Sequence, residues 1–392
     1  MEIKQISTIL NDVVETVLGE QAIVQEDLSN IVDIGDTIAN VVGYDKYCGA
    51  LVNRIGREIF TIRTYRGILP SVLMDNWTYG SIVSKTTMEM PEDIDNDSWK
   101  LVNGQSYDPH VFYQPSVSQK FYNQLETWDI PMSFPEVQIQ QSFTSPEAMN
   151  SFISMIYQYI ENRQTVEMDA LILRVIDNMI AQTWYDEHGT EDGSLIPYTT
   201  GVKAVNLLFA YNTLNGTTLT EDEAIHNPAF IRYATYIIGL YSDRLARMST
   251  LFNGNGKQRF TPKDLQHIVL LSEFSNSAKA YLESDTFHNE FVRLPAHEVV
   301  TYWQGTGVDY AFSSTSLVDV KTVEGDEVEL PYVIGVIFDR DALGVTQLNK
   351  RVKTSYTPNA EFYNNYYKTD VRYFNDFNEN FVVFYLADVS NS

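Results

Sequence analysis

Apolar side chains recur at helical spacing from the start of the chain. Ile3, Ile6, Leu10, Val13 and Val17 step by 3, 4, 3 and 4, which lays one stripe along roughly four turns of helix. A helix this short cannot bury its stripe alone. Two readings stay open: packing on its own domain, or an arm docking on a neighbouring chain. A weaker helical pattern, Ile23, Leu28, Ile31 and Ile34, leads to Gly35 and Gly43. The strongest signal runs from Ser145 to Thr183. Ser145 suits an N-cap, Pro146 the first helical position, and Glu147 the positive end of the helix dipole. Met149, Ile153, Ile156 and Ile160 step by 4, 3 and 4, and Met168, Ile172, Val175 and Met179 repeat those steps. The spacing predicts a helix over 146–183, a rod of about 57 Å at 1.5 Å per residue. A polar patch, Glu161 to Thr165, predicts a bend or an exposed middle.

Other stretches alternate as strands do. Glu58–Tyr65 and Ser81–Met88 are rich in Ile, Val, Thr, Phe and Tyr. Gly67, Pro70, Asp75, Asn76 and Gly80 lie between them, so a long β-hairpin is the simplest expectation. Residues 91–135 carry five prolines and read as irregular. Thr220 with Glu223 has capping-box spacing, Ala229–Met248 reads as a helix, and Ser275–Glu283 as another. Residues 305–330 read as loop. Tyr332–Phe338, Lys368–Phe374 and Phe381–Leu386 close the chain as strands. The class is α+β, with elements that project from any compact body and therefore need partners.

Charge narrows the function classes. The 392 residues carry 27 Lys and Arg against 52 Asp and Glu, a net charge of −25. That repels polyphosphate and anionic membrane. A single cysteine, Cys48, excludes a disulfide framework. Neither a signal peptide nor an apolar run of membrane-spanning length is visible. With 25 Tyr and 20 Phe the chain is rich in aromatics, which suit interfaces.

Candidate chemistry is sparse. Asp93-x-Asp95-x-Asp97 opens like a calcium loop, but Ser98 and Gly104 stand where Gly and Glu are needed. His297-Glu298 lacks the second His of a zinc-protease helix, and Gly254–Gln258 fails the phosphate-loop pattern at Leu251 and Gln258. Lys350-Arg351-Val352-Lys353 reads as a local contact or a solvated face. No catalytic residue, cofactor or metal site is assigned, and the balance favours an assembly protein over an enzyme.

The order of arm, hairpin, long helix, mixed domain and closing strands resembles the Hong Kong 97-type capsid fold, and specifically the major capsid proteins of phi-29-like podoviruses. Leu51–Gly56 looks like the entry to that family's extended loop, Phe143–Trp184 like its spine helix, and Phe338–Asp341, Asn364–Tyr367 and Asn380–Phe384 like its closing strands. The resemblance implies an N-terminal arm over 1–50 and an extended β-hairpin loop over 57–105. It implies a peripheral domain from 106–185 and 345–392, with spine helix 146–183, and an axial domain over 186–344. Met74, Asn76 and Trp77, near the loop tip, are the expected inter-subunit contacts. The implied function is a major head protein assembling into an icosahedral or prolate shell around a double-stranded DNA genome. The implied partners are copies of itself in pentamers and hexamers, a separate scaffolding protein and a portal protein, with DNA enclosed without sequence-specific binding and no membrane. Assembly would take place in the host bacterial cytoplasm, and the product would be the virion, with no maturation cleavage of the chain. The alternatives are an encapsulin-like compartment or a tail-associated glycan hydrolase.

Overall fold

The computed structural model describes residues 3–18, 23–41, 50–51, 69–74, 83–88, 103–104, 110, 112–114, 116–142, 144–189, 200–284, 294–304, 311–321 and 327–388. The elements, in order, are α1 (Ile3–Leu18), α2 (Ile31–Val41), β1 (Val83–Met88), β2 (Val117–Tyr122), β3 (Leu125–Pro135), α3 (Glu136–Ser142) and α4 (Pro146–His188). Then come β4 (Ala204–Asn206), α5 (Leu207–Asn215), α6 (Glu221–Ala224), α7 (Pro228–Leu245), β5 (Gln266–Leu271), α8 (Ser272–Ser284) and β6 (Glu298–Val300). The last are α9 (Phe312–Thr315), β7 (Val318–Lys321), β8 (Glu327–Leu330), β9 (Val333–Asp339), β10 (Leu343–Thr357), β11 (Phe362–Asn375) and β12 (Phe381–Tyr385). The chain divides into two units, 1–78 with 124–172 and 345–372, and 79–123 with 173–344 and 373–392.

In the first unit a three-stranded sheet, ordered β10-β11-β3, packs one face on the first half of α4. The Ser145 hydroxyl caps α4 by accepting from Ala148 N–H at 3.1 Å. The repeating stripe Met149, Ile153, Ile156 and Ile160 is wholly buried and joins Ile130 and Phe134 of β3 and Tyr363 and Tyr367 of β11 in one cluster. Phe134 meets the Phe152 ring edge-on at 5.8 Å. Ile6, Leu10 and Val13 of α1 enter the same cluster, so of the two readings of that stripe, packing on its own domain is the one observed. The polar patch at Glu161–Thr165 does not interrupt α4. Within a continuous helix it exposes Asn162 and Arg163 and buries Gln164, with Arg163 and Glu167 paired one turn apart at 2.5 Å.

The second unit is built on a mixed five-stranded sheet, ordered β4-β12-β9-β5-β6. β9 and β12 are buried at every position, as strands covered on both faces must be, which explains their unbroken apolar runs. Gly335 sits where a Cβ would collide with Leu270 and come within 2.8 Å of the Val269 carbonyl, so the close approach of β5 demands glycine. α5, α7 and α8 cover the sheet through Leu208, Phe230, Ile238 and Phe274. The Thr220–Glu223 capping box forms as the spacing predicts.

Three stretches depart from the sequence reading. Residues 117–135 form β2 and β3 where irregular chain was expected. β3 lies at the edge of its sheet, so Pro131 and Pro135 cost it little in ladder bonds. The stretch 305–330, read as loop, contains α9 and the β7–β8 hairpin, whose alternation is confined to four residues a strand. And β1 pairs with β2, Lys85 directly opposite Lys120, while its expected partner, 58–65, lies outside the described residues.

Candidate assembly surface

The β1–β2 hairpin has two unlike faces, because side chains alternate along each strand. Lys85, Lys120 and Tyr122 turn inward. Two lysines facing each other across a ladder repel, and the arrangement persists because both reach one carboxylate. Asp376, its side chain fully buried, takes Lys85 Nζ on Oδ2 at 3.0 Å and Lys120 Nζ on Oδ1 at 3.3 Å. Lys85 also pairs with Glu379 at 2.7 Å and donates to the Asp341 carbonyl at 3.3 Å. Glu379 in turn accepts from Arg259 Nε at 3.3 Å, and the Tyr122 ring lies 5.2 Å from Phe374. Burial opposes ionisation of Asp376, but Lys85, the Asn378 N–H and Lys120 outweigh it and hold that carboxyl below its ordinary value. Burial likewise opposes charge on Lys85, and the two acids outweigh it, raising the ammonium. For Glu379 burial wins and its carboxyl is pushed up. These charges fasten the hairpin to the 376–380 turn.

The outward face is mixed: Ser84, Thr86 and Gln119 share it with three exposed apolar side chains. Met88 and Val117, directly opposite each other, are 59% and 57% exposed, and Phe121 is 62% exposed. Phe112 and Tyr113 precede β2 and are more exposed still. Scattered surface hydrophobics need no explanation, whereas Met88, Val117 and Phe121 lie together on one face of the β1–β2 pair.

Of the expected contact residues, Met74 is half-buried beside β10, where its N–H donates to the Val345 carbonyl at 2.9 Å. Asn76 and Trp77 lie outside the described residues, as do Cys48 and the acidic run Asp93–Asp97. Sequence reasoning missed this face, where Val117 and Phe121 stand four residues apart on one side of β2 with the polar Gln119 between them.

The remaining candidates resolve into structure. His297 accepts from or donates to Ser275 Oγ at 2.9 Å and the Pro295 carbonyl at 2.8 Å. Asn253 brackets Lys257 with two hydrogen bonds, making a tight turn at Gly254–Lys257. Arg351 pairs with Asp370. Among the described residues no group of His, Cys, Asp or Glu is placed to hold a metal ion, and no helix is long and apolar enough to cross a membrane.

One buried acid stands apart. Asp177 of α4 is 2% exposed, and its Oδ1 has no hydrogen-bond partner. Burial pushes its carboxyl well above the ordinary value, and Gln304 offsets this only in part. A carboxyl raised in the folded state costs nothing when both states are protonated, and costs progressively more as pH rises. Asp177→Asn therefore stabilises the protein by about 1–3 kcal/mol at pH 7, and the gain fades on acidification. Thermal unfolding at pH 7 and pH 4 checks this; equal gains at both would show that ionisation is not the cause.

Comparison with known proteins shows the family of the chain. The sequence model of a family described as Phi29-like phage major capsid protein matches residues 10–385. The capsid structure of Staphylococcus phage Andhra is similar over 83% of this chain and 86% of that one, at 9% identity and a TM-score of 0.52. A structure of head fiber and inner core protein gp22 of native bacteriophage P68 is similar over 83% and 86%, at 12% identity and a TM-score of 0.48. No curated protein matches the chain.

Proposed function

This chain belongs to the Phi29-like phage major capsid protein family, and from that membership we propose how its parts build a shell. Its fold is the α+β, Hong Kong 97-type fold of phage capsids. It is a structural protein of the virion, and many copies of it form the capsid. Neither an encapsulin-like compartment nor a glycan hydrolase finds support. The observation that carries this reading is the family match across residues 10–385.

The finer assignments are our reading. Residues 1–50 form the N-terminal segment, whose helices pack on their own unit, and 57–105 serve as the extended loop over a neighbour. Residues 106–185 and 345–392 make the peripheral domain, and 186–344 the axial domain at the fivefold and sixfold axes. Heterologous contacts that close into rings yield pentamers and hexamers. Met74, Asn76 and Trp77 contact another subunit, together with Met88, Val117 and Phe121 on the hairpin's outward face. A separate scaffolding protein guides closure and a portal protein takes one vertex. The work is mechanical, with no chemistry to catalyse. A net charge of −25 lets double-stranded DNA be enclosed without being bound, since like charges repel.

Phe121→Asp tests the surface. Burying a phenylalanine in a contact contributes about 2 kcal/mol, and an aspartate there adds a desolvation cost. The variant leaves a soluble, folded subunit and abolishes closed shells in sedimentation profiles. Deleting residues 72–78 gives the same outcome for the loop. Normal particles from either variant would count against the corresponding contact.

A further inference from the structure

α7 presents an outward stripe, Arg232, Tyr236, Gly239 and Leu240, along a groove of about 770 Å³ whose other wall includes Ile268 of β5 and Pro295. Gly239 lies inside an 18-residue helix, where glycine is the worst choice short of proline. Its backbone does not require it, for the φ is an ordinary helical one. Nor does its packing: a Cβ built there meets no atom within 4 Å. Nothing among the described residues explains the missing side chain. Tyr236, one turn away, is 64% exposed, an aromatic ring at the mouth of an open groove. Arg232 puts a cation at the rim.

We propose that this groove receives a second copy of this chain, and that position 239 is glycine so that the incoming backbone can lie against α7. The proposal rests on the shell-forming reading and assigns one of its contacts. The occupant is argued from three observations. A capsid subunit's neighbours are its own copies. Those copies carry 52 acidic against 27 basic residues, which suits an arginine at the rim. Leu240, Ile268 and Pro295 beside Tyr236, flanked by the polar Ser242, Asp243, Lys263 and Gln266, match the apolar-centre, polar-rim make-up of a protein contact.

The account requires opposite effects on the subunit and on the shell. Gly239→Ala raises the unfolding temperature of the unassembled full-length chain, because alanine is the better helix former and has room. Gly239→Leu leaves the subunit folded and lowers shell yield at least tenfold, with Gly239→Ala intermediate. A photoreactive phenylalanine analogue at Tyr236, irradiated in assembled shells, gives cross-linked dimers of the chain. Three results would overturn the proposal: parental shell yield from Gly239→Leu, a lowered unfolding temperature for Gly239→Ala, or cross-links only within one chain or to DNA. Parent protein prepared alongside keeps the two readings apart. Shells from the parent with none of these signatures refute the groove contact alone, while a parent that forms no shell refutes the capsid reading itself.

Discussion

Ile156→Pro abolishes the folded subunit. Position 156 lies in the interior of α4 and is completely buried. Proline there removes one backbone hydrogen bond and drives its ring into the preceding turn, at a cost of about 3 kcal/mol or more. Losing the isoleucine from a cluster shared with β3, β11 and α1 adds a cavity, about 1–3 kcal/mol more. Domains hold only about 5–15 kcal/mol in reserve, so the sum removes much or all of it. The substitution also strikes the element on which the first unit's sheet packs. Tyr159→Ala is the control: the side chain is half exposed, and the change costs about 0.5 kcal/mol or less. Soluble yield and far-ultraviolet circular dichroism separate the two. A soluble Ile156→Pro protein with the parent's helix signal would show that α4 is not the backbone of its unit.

Lys85→Met has the next largest effect. It leaves Asp376 buried with Lys120 as its remaining cation, and Glu379 with Arg259 alone. Removing one partner of a buried ion pair costs about 3–5 kcal/mol. The surviving cations put this case near 3 kcal/mol, and the loss falls on hairpin docking before the rest of the unit. Hydrogen exchange across 83–88 and 117–122 should accelerate while β9 and β12 stay protected. Uniform acceleration, or none, would contradict the local role. The same cluster fixes a pH window. Asp376, held below its ordinary 3.8, contributes stability above that value and loses it as pH falls through the lower folded value. Lys85, held above 10.5, contributes below that value and loses it as pH climbs past the raised one. Glu379, shifted upward, works against the pair at neutral pH and relents in acid, which softens the acid limb. Docking is thus firm between about pH 4 and pH 10.

How legible this was depends on the physics of each element. α4 shows itself because its apolar positions are buried in both halves, so the 3-and-4 spacing runs from Met149 to Ile160 and again from Met168 to Met179, either side of the polar patch. β9 and β12 show themselves because both faces are covered. β3 and β10 do not, because their outer faces carry Thr127, Asp129, Arg351 and Lys353 toward solvent, and β3 tolerates prolines that an interior strand would not. The hairpin dock was invisible for a different reason. Lys85 and Asp376 stand far apart in the chain and belong to no motif; only the fold brings them together. Family likeness was readable in the order of elements, while the contact residues depend on which face each strand turns outward.

The central claim is that this chain closes into a shell. Negative-stain electron microscopy of the purified, overexpressed protein, with and without the scaffolding protein proposed above, tests it most directly. The account predicts closed particles of uniform size when the scaffold is present. Dispersed 44.8-kDa subunits under both conditions would contradict it.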